Sequence, residues 1–162
     1  MSVFSRRRRA RMRGVARILA VSSAGGHWVQ MMRVLSAFDD HEIVLVTTDA
    51  RCRSEIGRRK FHVVTAANRW ELLRCAKLAL QILWLIVRER PDIVFSTGAT
   101  PGTFAVIFGR LSGARTIWLD SIANADEMSM SGRIARRFSD LWLTQWPHLA
   151  SADGPEYAGA VL

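Results

Sequence analysis

The sequence predicts an α/β fold with a Rossmann-like parallel sheet that carries helices on both faces. Short β-branched runs alternate with longer helical patterns, which is the order expected of right-handed βαβ units. Three of the predicted strands are followed by small and polar residues, and in such sheets ligands bind at the carboxyl ends of the strands. A length of 162 residues suits one domain of this kind and is too short for two.

The first half of the chain contains three predicted strands and two predicted helices. Arg17–Ser22 and Glu42–Thr48 are apolar, β-branched runs typical of buried strands, and Trp28–Phe38 between them has helical periodicity. Phe61–Thr65 predicts a short third strand. Glu71–Arg90 predicts a long helix that ends at the following proline.

The second half continues the alternation. Asp92–Thr97 and Arg115–Leu119 are predicted strands, and Pro101–Leu111 between them is a helix opened by proline in its first turn. Ser131–Ser139 predicts a short helix, and Leu141–Gln145 a last strand. The chain therefore predicts one sheet with a helix after most of its strands.

The long helix at 71–90 is apolar over most of its circumference. Arg74, Lys77, Gln81 and Arg88 fall near one polar stripe, and they interrupt the apolar run too often for a membrane span. A buried crossover helix explains the pattern. A face that rests in the acyl boundary of a bilayer, or against a partner, explains it as well.

The charge of the chain is concentrated at its start. The net charge is +9, and seven arginines between positions 6 and 17 supply most of it. Residues 1–16 are therefore predicted to be a basic tail, and residues 17–162 the folded domain. Such a tail can bind anionic lipid headgroups or RNA, or stay solvated, but no zinc-finger spacing or RNP-like aromatic pattern supports nucleic acid.

The cysteines and histidines limit the chemistry. Cys52 and Cys75 are too few for a disulfide framework, which indicates a reducing, cytoplasmic setting. The four histidines show no metal-ligand spacing. We therefore expect no protein-held metal site.

The loop Ser22–His27 carries the most informative motif. Adjacent glycines let the backbone approach a ligand, and the N-terminus of the next helix attracts an anion such as phosphate. His27 would stand beside that anion, where an imidazole can accept a proton from a hydroxyl nucleophile. A tight turn whose glycines serve packing alone remains an alternative.

Two further loops follow predicted strands, at Ser96–Gly102 and Asp120–Glu127. A capping turn with Thr100 as N-cap explains part of the first loop, but it does not explain why Gly98 and Gly102 lie on either side. The topology predicts that all three loops converge at one edge of the sheet.

Four segments in the same order resemble one protein family: SSAGGHWVQM, PDIVFSTGATPG, IWLDSIANADEMSMSGRIARRFSDLWLTQWP and EYAGAVL. The family is the acceptor-side half of split GT-B glycosyltransferases. It includes the membrane-recruiting subunit of the dolichol-pathway N-acetylglucosaminyltransferase and bacterial capsule and exopolysaccharide proteins. The chain departs from the family pattern at Ile122 and Asn124.

The resemblance implies a single GT-B N-terminal-type domain that binds a polyprenyl-diphosphate-linked sugar. A separate chain would bind the UDP-sugar, and transfer would require the heteromer. The resemblance also implies peripheral attachment at the cytoplasmic face of a membrane, with no metal and no cofactor. A non-catalytic anchor for the transferase, and a nucleotide-binding domain acting alone, are the alternatives; the chain lacks the GxGxxG fingerprint of the latter.

Carried over by position, the resemblance makes His27 the candidate base. The implied acceptor and phosphate positions are Ser23, Gly25, Gly26, Ser96, Thr97, Gly98, Ala99, Asp120, Ser121 and Ser131. The implied partner interface consists of Trp142, Gln145, Trp146, Pro147 and Tyr157.

Overall fold

A computed structural model describes residues 14–68 and 70–161, so most of the predicted basic tail lies outside the described residues. The strands are β1 Arg17–Val21, β2 Glu42–Thr47, β3 Lys60–Val63, β4 Ile93–Ser96, β5 Arg115–Leu119, β6 Leu141–Thr144 and β7 Glu156–Tyr157. The helices are α1 Gly26–Val34, α2 Leu72–Glu89, α3 Ala99–Leu111 and α4 Met130–Ala135. Short 3-10 helices lie at Leu35–Phe38, Ala50–Glu55, Arg136–Phe138 and Pro147–Leu149.

Within the described residues, the seven strands form one sheet in the order β3-β2-β1-β4-β5-β6-β7, and every neighbouring pair is parallel. The predicted α/β class with a Rossmann-like sheet is therefore confirmed. Each predicted strand and helix is present, with ends that differ by a few residues. The two-residue strand β7 carries too little pattern to be predicted.

Two helix boundaries differ from the prediction in a way that matters for the site. The helix predicted at Trp28–Phe38 begins at Gly26, and its last part is a 3-10 turn. Thr100 is not an N-cap, because α3 begins at Ala99 and Gly98 occupies the capping position. Tertiary packing at Gly98, described below, overrides the local capping signal.

The helices cover both faces of the sheet. Alternate side chains of β1 point in opposite directions, so Ile18 packs with Trp28 and Met31 of α1, whereas Leu19 packs on the opposite face. That opposite face is covered by α2, α3 and α4. The core is therefore layered as helix, sheet and helix, with α1 and the 3-10 segments at Leu35–Phe38 and Ala50–Glu55 on the side that carries His27.

Helix α2 crosses from the edge strand β3 back to the centre of the sheet at β4. One of its faces is buried, and includes Leu78, Ile82 and Leu85. The carboxylate of Glu89 is also buried, where it binds Lys60 Nζ at 2.7 Å and His62 Nε2 at 3.2 Å. Burial alone would raise the pKa of Glu89, but the hydrogen bonds and charges of these two partners hold that pKa below its ordinary value.

Candidate functional site

The strand order reverses between β1 and β4, which are neighbours in the sheet. Val21 of β1 is paired with Ser96 of β4, so the loops that follow these two strands leave the sheet side by side. One loop contains Gly25, Gly26 and His27, and the other contains Thr97 and Gly98. A reversal of this kind opens a crevice at the carboxyl ends of the strands, where α/β proteins bind their ligands.

The side chain of His27 is fixed by the second loop. His27 Nδ1 lies 2.9 Å from the carbonyl oxygen of Thr97, and the Thr97 hydroxyl donates to the His27 carbonyl oxygen at 2.7 Å. Since a carbonyl oxygen only accepts, Nδ1 carries the proton and Nε2 is left unprotonated in the neutral ring. The geometry therefore presents Nε2 as the ring nitrogen that can accept a proton.

Two glycines allow the second loop to pack this closely. A Cβ at Gly98 would lie 2.7 Å from both Cε1 and Nδ1 of His27, and the φ of Gly98 is +131°. A Cβ at Gly102 would lie 1.9 Å from Ser96 Oγ. Gly98 makes room for the His27 ring, and Gly102 makes room for β4 beneath α3. These two close contacts explain why glycine stands at both positions, which a capping turn at Thr100 did not explain.

The helices at the crevice differ in how their N-termini are capped. Helices α1 and α3 have glycine at the N-cap and no capping side chain, so their first N–H groups stay available to a ligand. Helix α4 is capped by Ser129, whose hydroxyl accepts from Gly132 N at 2.8 Å. The N-termini of α1 and α3 lie beside the strand-order reversal, and both orient a positive dipole end toward an anion.

The predicted serines of these loops lie in different settings. Ser96 is fully buried, and its hydroxyl accepts from Gly98 N at 3.1 Å. Ser23, in the loop after β1, and Ser131, in the first turn of α4, are half-buried, and Ala99 has an unusual φ of +63°. Ser96 therefore supports the loop from beneath, while Ser23, Ala99 and Ser131 keep part of their surface exposed to solvent.

Asp120 and Ser121 are buried and act within the protein. Asp120 accepts from the backbone N–H of Ser129 at 2.7 Å and from the Ser129 hydroxyl at 2.6 Å. Ser121 Oγ accepts from Gln30 Nε2 at 3.0 Å. Both residues fix the loop after β5 in place, and their own side chains are occupied within the protein.

The predicted interface residues also differ in exposure. Pro147 and Tyr157 are exposed, and Trp146 is partly buried, with its indole N–H donating to the Ile122 carbonyl at 2.8 Å. The Trp142 indole N–H is buried and finds no acceptor among the described residues. Gln145 is 1% exposed and binds inside the protein, so its amide is not available to a partner's surface.

Sequence reasoning missed Gln30, which binds three groups of the site. It lies in α1 between the buried Trp28 and Met31, on the side that faces the sheet. A polar residue on the apolar side of a predicted helix was the signal that could have identified it, since buried amides require hydrogen-bond partners.

The outer face of α2 is apolar and exposed. It contributes to a shallow groove lined by Leu73, Ala76, Lys77, Leu80, Gln81 and Trp84. Leu73 is 89% exposed and Leu80 is 68% exposed, and Arg88 stacks on Trp84 with its guanidinium carbon 4.8 Å from the ring centre. A contiguous apolar face rimmed by basic side chains is typical of an interaction surface.

The described residues contain neither a membrane-spanning helix nor a metal-binding cluster. No helix in residues 14–68 or 70–161 is both long and apolar enough to cross a bilayer. In the same ranges, no group of three His, Cys, Asp or Glu side chains lies close enough to hold a metal ion.

Known sequences and structures resemble this chain. The family profile described as "Oligosaccharide biosynthesis protein Alg14 like" matches residues 59–161. The "UDP-N-acetylglucosamine transferase subunit ALG14" of Mus musculus is 25% identical over 82% of this chain and 76% of its own length. The subunit of the same name from Schizosaccharomyces pombe is 31% identical over 44% of this chain and 37% of its own length.

Among solved structures, MurG of Acinetobacter baumannii superimposes with a TM-score of 0.73 at 11% identity. A UDP-N-acetylglucosamine 2-epimerase from Rickettsia bellii gives 0.67 at 18% identity. The matches cover 88% and 90% of this chain, which spans 45% of the length of each of these two proteins. At these identities the likeness shows the fold.

Proposed function

The chain belongs to the Alg14-like family of oligosaccharide biosynthesis proteins, and we propose that it is the acceptor-binding subunit of a two-chain glycosyltransferase that uses UDP-N-acetylglucosamine. The matched relatives are named as subunits of a transferase for this donor. The observation that carries the proposal is the crevice at the strand-order reversal, with the imidazole of His27 between two uncapped helix N-termini. The second chain supplies the donor site.

The acceptor is a sugar linked to a polyprenyl diphosphate. Its diphosphate binds at the N-termini of α1 and α3, because the unpaired N–H groups there favour an anion. Gly25, with a φ of +74°, lets the backbone come close to the phosphate oxygens. This places the terminal sugar of the acceptor beside His27.

In the transfer step, a hydroxyl of the acceptor sugar attacks the anomeric carbon of the donor. A new C–O bond forms, the bond between the sugar and UDP breaks, and UDP leaves with the bonding electrons. The hydroxyl proton passes to His27 Nε2, which the Nδ1 bond to Thr97 keeps free to accept it. The partner chain holds UDP, and this chain positions the nucleophilic hydroxyl of the acceptor and contributes the base.

His27→Ala tests the chemical role in the assembled two-chain complex. Loss of the base lowers turnover by about 10² to 10⁴, measured as transfer of labelled GlcNAc to a short polyprenyl-diphosphate sugar. His41→Ala is the matched control, because His41 directly precedes β2 and so lies at the amino ends of the strands, away from the crevice at their carboxyl ends. Complex formation is expected to survive both changes.

A non-catalytic anchor is the competing function. In that case His27→Ala leaves turnover unchanged, whereas Trp146→Ala abolishes association with the catalytic chain. Full turnover by the His27→Ala complex would therefore refute the role of base and favour the anchor. We place the partner surface at the exposed residues Pro147 and Tyr157 and at the half-buried Trp146.

The outer face of α2 is the proposed site of peripheral attachment at the cytoplasmic face of a membrane. Apolar side chains there can enter the acyl boundary while Arg74, Lys77 and Arg88 meet anionic headgroups. Leu80→Glu is expected to abolish co-sedimentation with vesicles of phosphatidylcholine and phosphatidylglycerol. Leu111→Glu, at the exposed end of α3, is the control, and equal binding by both variants would contradict this attachment.

The relation to bacterial capsule and exopolysaccharide proteins remains a prediction. The relatives compared above are eukaryotic transferase subunits. The acceptor determines which glycan the product belongs to. Assaying the complex with a panel of lipid-linked acceptors would therefore identify that glycan.

A further inference from the structure

Two buried glutamines connect the last described residues of the chain to the helix that carries His27. Gln145 follows β6 and is 1% exposed, and Gln30 lies one turn beyond His27 in α1 and is 5% exposed. Gln145 Nε2 donates to Gln30 Oε1 at 2.7 Å. Gln30 Nε2 in turn donates to Ser121 Oγ at 3.0 Å, at the start of the loop after β5.

Backbone N–H groups fix the orientation of both amides. Val161 N donates to Gln145 Oε1 at 2.8 Å, and Ile122 N donates to Gln30 Oε1 at 3.3 Å. Because a backbone N–H can only donate, each of these contacts identifies an amide oxygen. Gln145 Nε2 also donates to the Asp120 carbonyl at 2.8 Å, so both polar atoms of this amide are engaged.

The orientation of both glutamine amides depends on the hydrogen bond from Val161 N to Gln145 Oε1. If Val161 N–H is lost, the buried Gln145 Oε1 has no donor among residues 14–68 and 70–161, and an unsatisfied buried acceptor is unfavourable. A rotated Gln145 amide satisfies that oxygen elsewhere only by giving up its bonds to Gln30 and Asp120. Loss of these bonds would disturb α1, whose first turn contains His27, and the loop that begins at Ser121.

We propose that Gln145 and Gln30 are positioning residues, which couple the backbone at Val161 to the His27 helix and to the loop after β5. The inference rests on the proposed function, since its readout is sugar transfer assisted by His27. It assigns the buried amides a role that apolar side chains of equal volume could not perform. Any event that displaces the segment at Val161 would then lower turnover at a site formed by other residues.

Val161→Pro tests the coupling, because proline lacks the N–H and keeps an apolar ring. Val161→Ala is the conservative counterpart, which keeps the N–H and loses most of the side chain. In the assembled complex, we expect Val161→Pro to lower kcat by about ten- to a hundredfold, with a smaller change in the acceptor KM. Val161→Ala is expected to retain at least half of the wild-type kcat.

Gln145→Met provides a second, independent test, since methionine fills the space without hydrogen bonds. It is expected to lower kcat to a similar extent, and the double variant with Val161→Pro should be no slower than the slower single variant. If Val161→Pro does not fold, Gln145→Met alone decides. A lower Tm with wild-type kcat would show that the amides serve stability only, and would overturn the coupling.

The remaining outcomes are equally decisive. Equal kcat values for Val161→Pro and Val161→Ala, or losses that multiply in the double variant, overturn the inference while leaving the proposed function intact. A wild-type complex that transfers no sugar overturns the proposed function and this inference with it.

Discussion

Gly98→Ala tests whether the position of the His27 ring matters for sugar transfer. A methyl group at position 98 would lie 2.7 Å from two atoms of that ring, whereas ordinary contact begins near 3.4 Å. The ring must therefore retreat by about 0.7 Å or more. The backbone resists as well, because a φ of +131° is accessible mainly to glycine.

The size of the effect follows from this displacement. A retreat of the ring carries Nε2 away from the acceptor hydroxyl and disturbs the 2.9 Å contact between Nδ1 and the Thr97 carbonyl. A misplacement on the order of 1 Å lowers turnover about 10²-fold. Strain at the backbone adds a cost of roughly 1–3 kcal/mol to folding. We expect kcat to fall about 10²-fold in a complex that still assembles.

The assay is single-turnover transfer from UDP-N-acetylglucosamine by the two-chain complex, with the Tm measured in parallel. Gly57→Ala is the matched control, because Gly57 also has a positive φ, of +59°, but a Cβ there would meet no atom within 4 Å. It is expected to lower the Tm and leave kcat within about twofold. Wild-type kcat in the Gly98→Ala complex, or an equal loss in Gly57→Ala, would refute the reasoning.

Two further predictions concern stability. Glu89→Gln removes a buried carboxylate whose pKa is held low by Lys60 and His62. The ion pairs of Glu89 therefore stabilise the fold fully above pH 4.5, the ordinary pKa of this carboxyl group. This stabilisation is lost as the pH falls through the lower pKa of the folded state. The variant is expected to be about 1–3 kcal/mol less stable at pH 7, with the difference shrinking below pH 4.5 in urea titrations; a constant difference would contradict the ion-pair account. Ser129→Ala removes the α4 cap and is expected to cost about 0.5–2 kcal/mol, whereas Ser129→Asn restores most of it; equal stability of the two would show that the cap contributes nothing.

Much of the fold was predictable because the hydrophobic pattern of the sequence specifies most of the strands and helices. The run at Glu42–Thr48 and the helical pattern at Glu71–Arg90 have strong periodicity and clear end signals, and both elements are present within two residues. The convergence of loops at one edge followed from the parallel topology. Strand β7 escaped prediction because two residues, held by pairing with β6, leave no local pattern.

The site was only partly predictable, because it depends on contacts between distant segments. The capping signal at Thr100 is local, but the position of the helix start is decided by the His27 ring against Gly98. Likewise, the resemblance implied that Gln145 belongs to a partner interface, yet its amide binds Gln30 from 115 positions away inside the protein. Buried polar networks are specified by three-dimensional proximity, which a single sequence does not display.

The central claim, that this chain forms the acceptor side of the crevice, is tested most directly by photo-crosslinking the assembled complex. A polyprenyl-diphosphate sugar carrying a diazirine should label this chain in the peptides that contain Gly25–His27 and Thr97–Ala99. A diazirine analogue of UDP-N-acetylglucosamine should label the partner chain. Labelling of the partner by the lipid-linked sugar, with this chain unlabelled, would contradict the account.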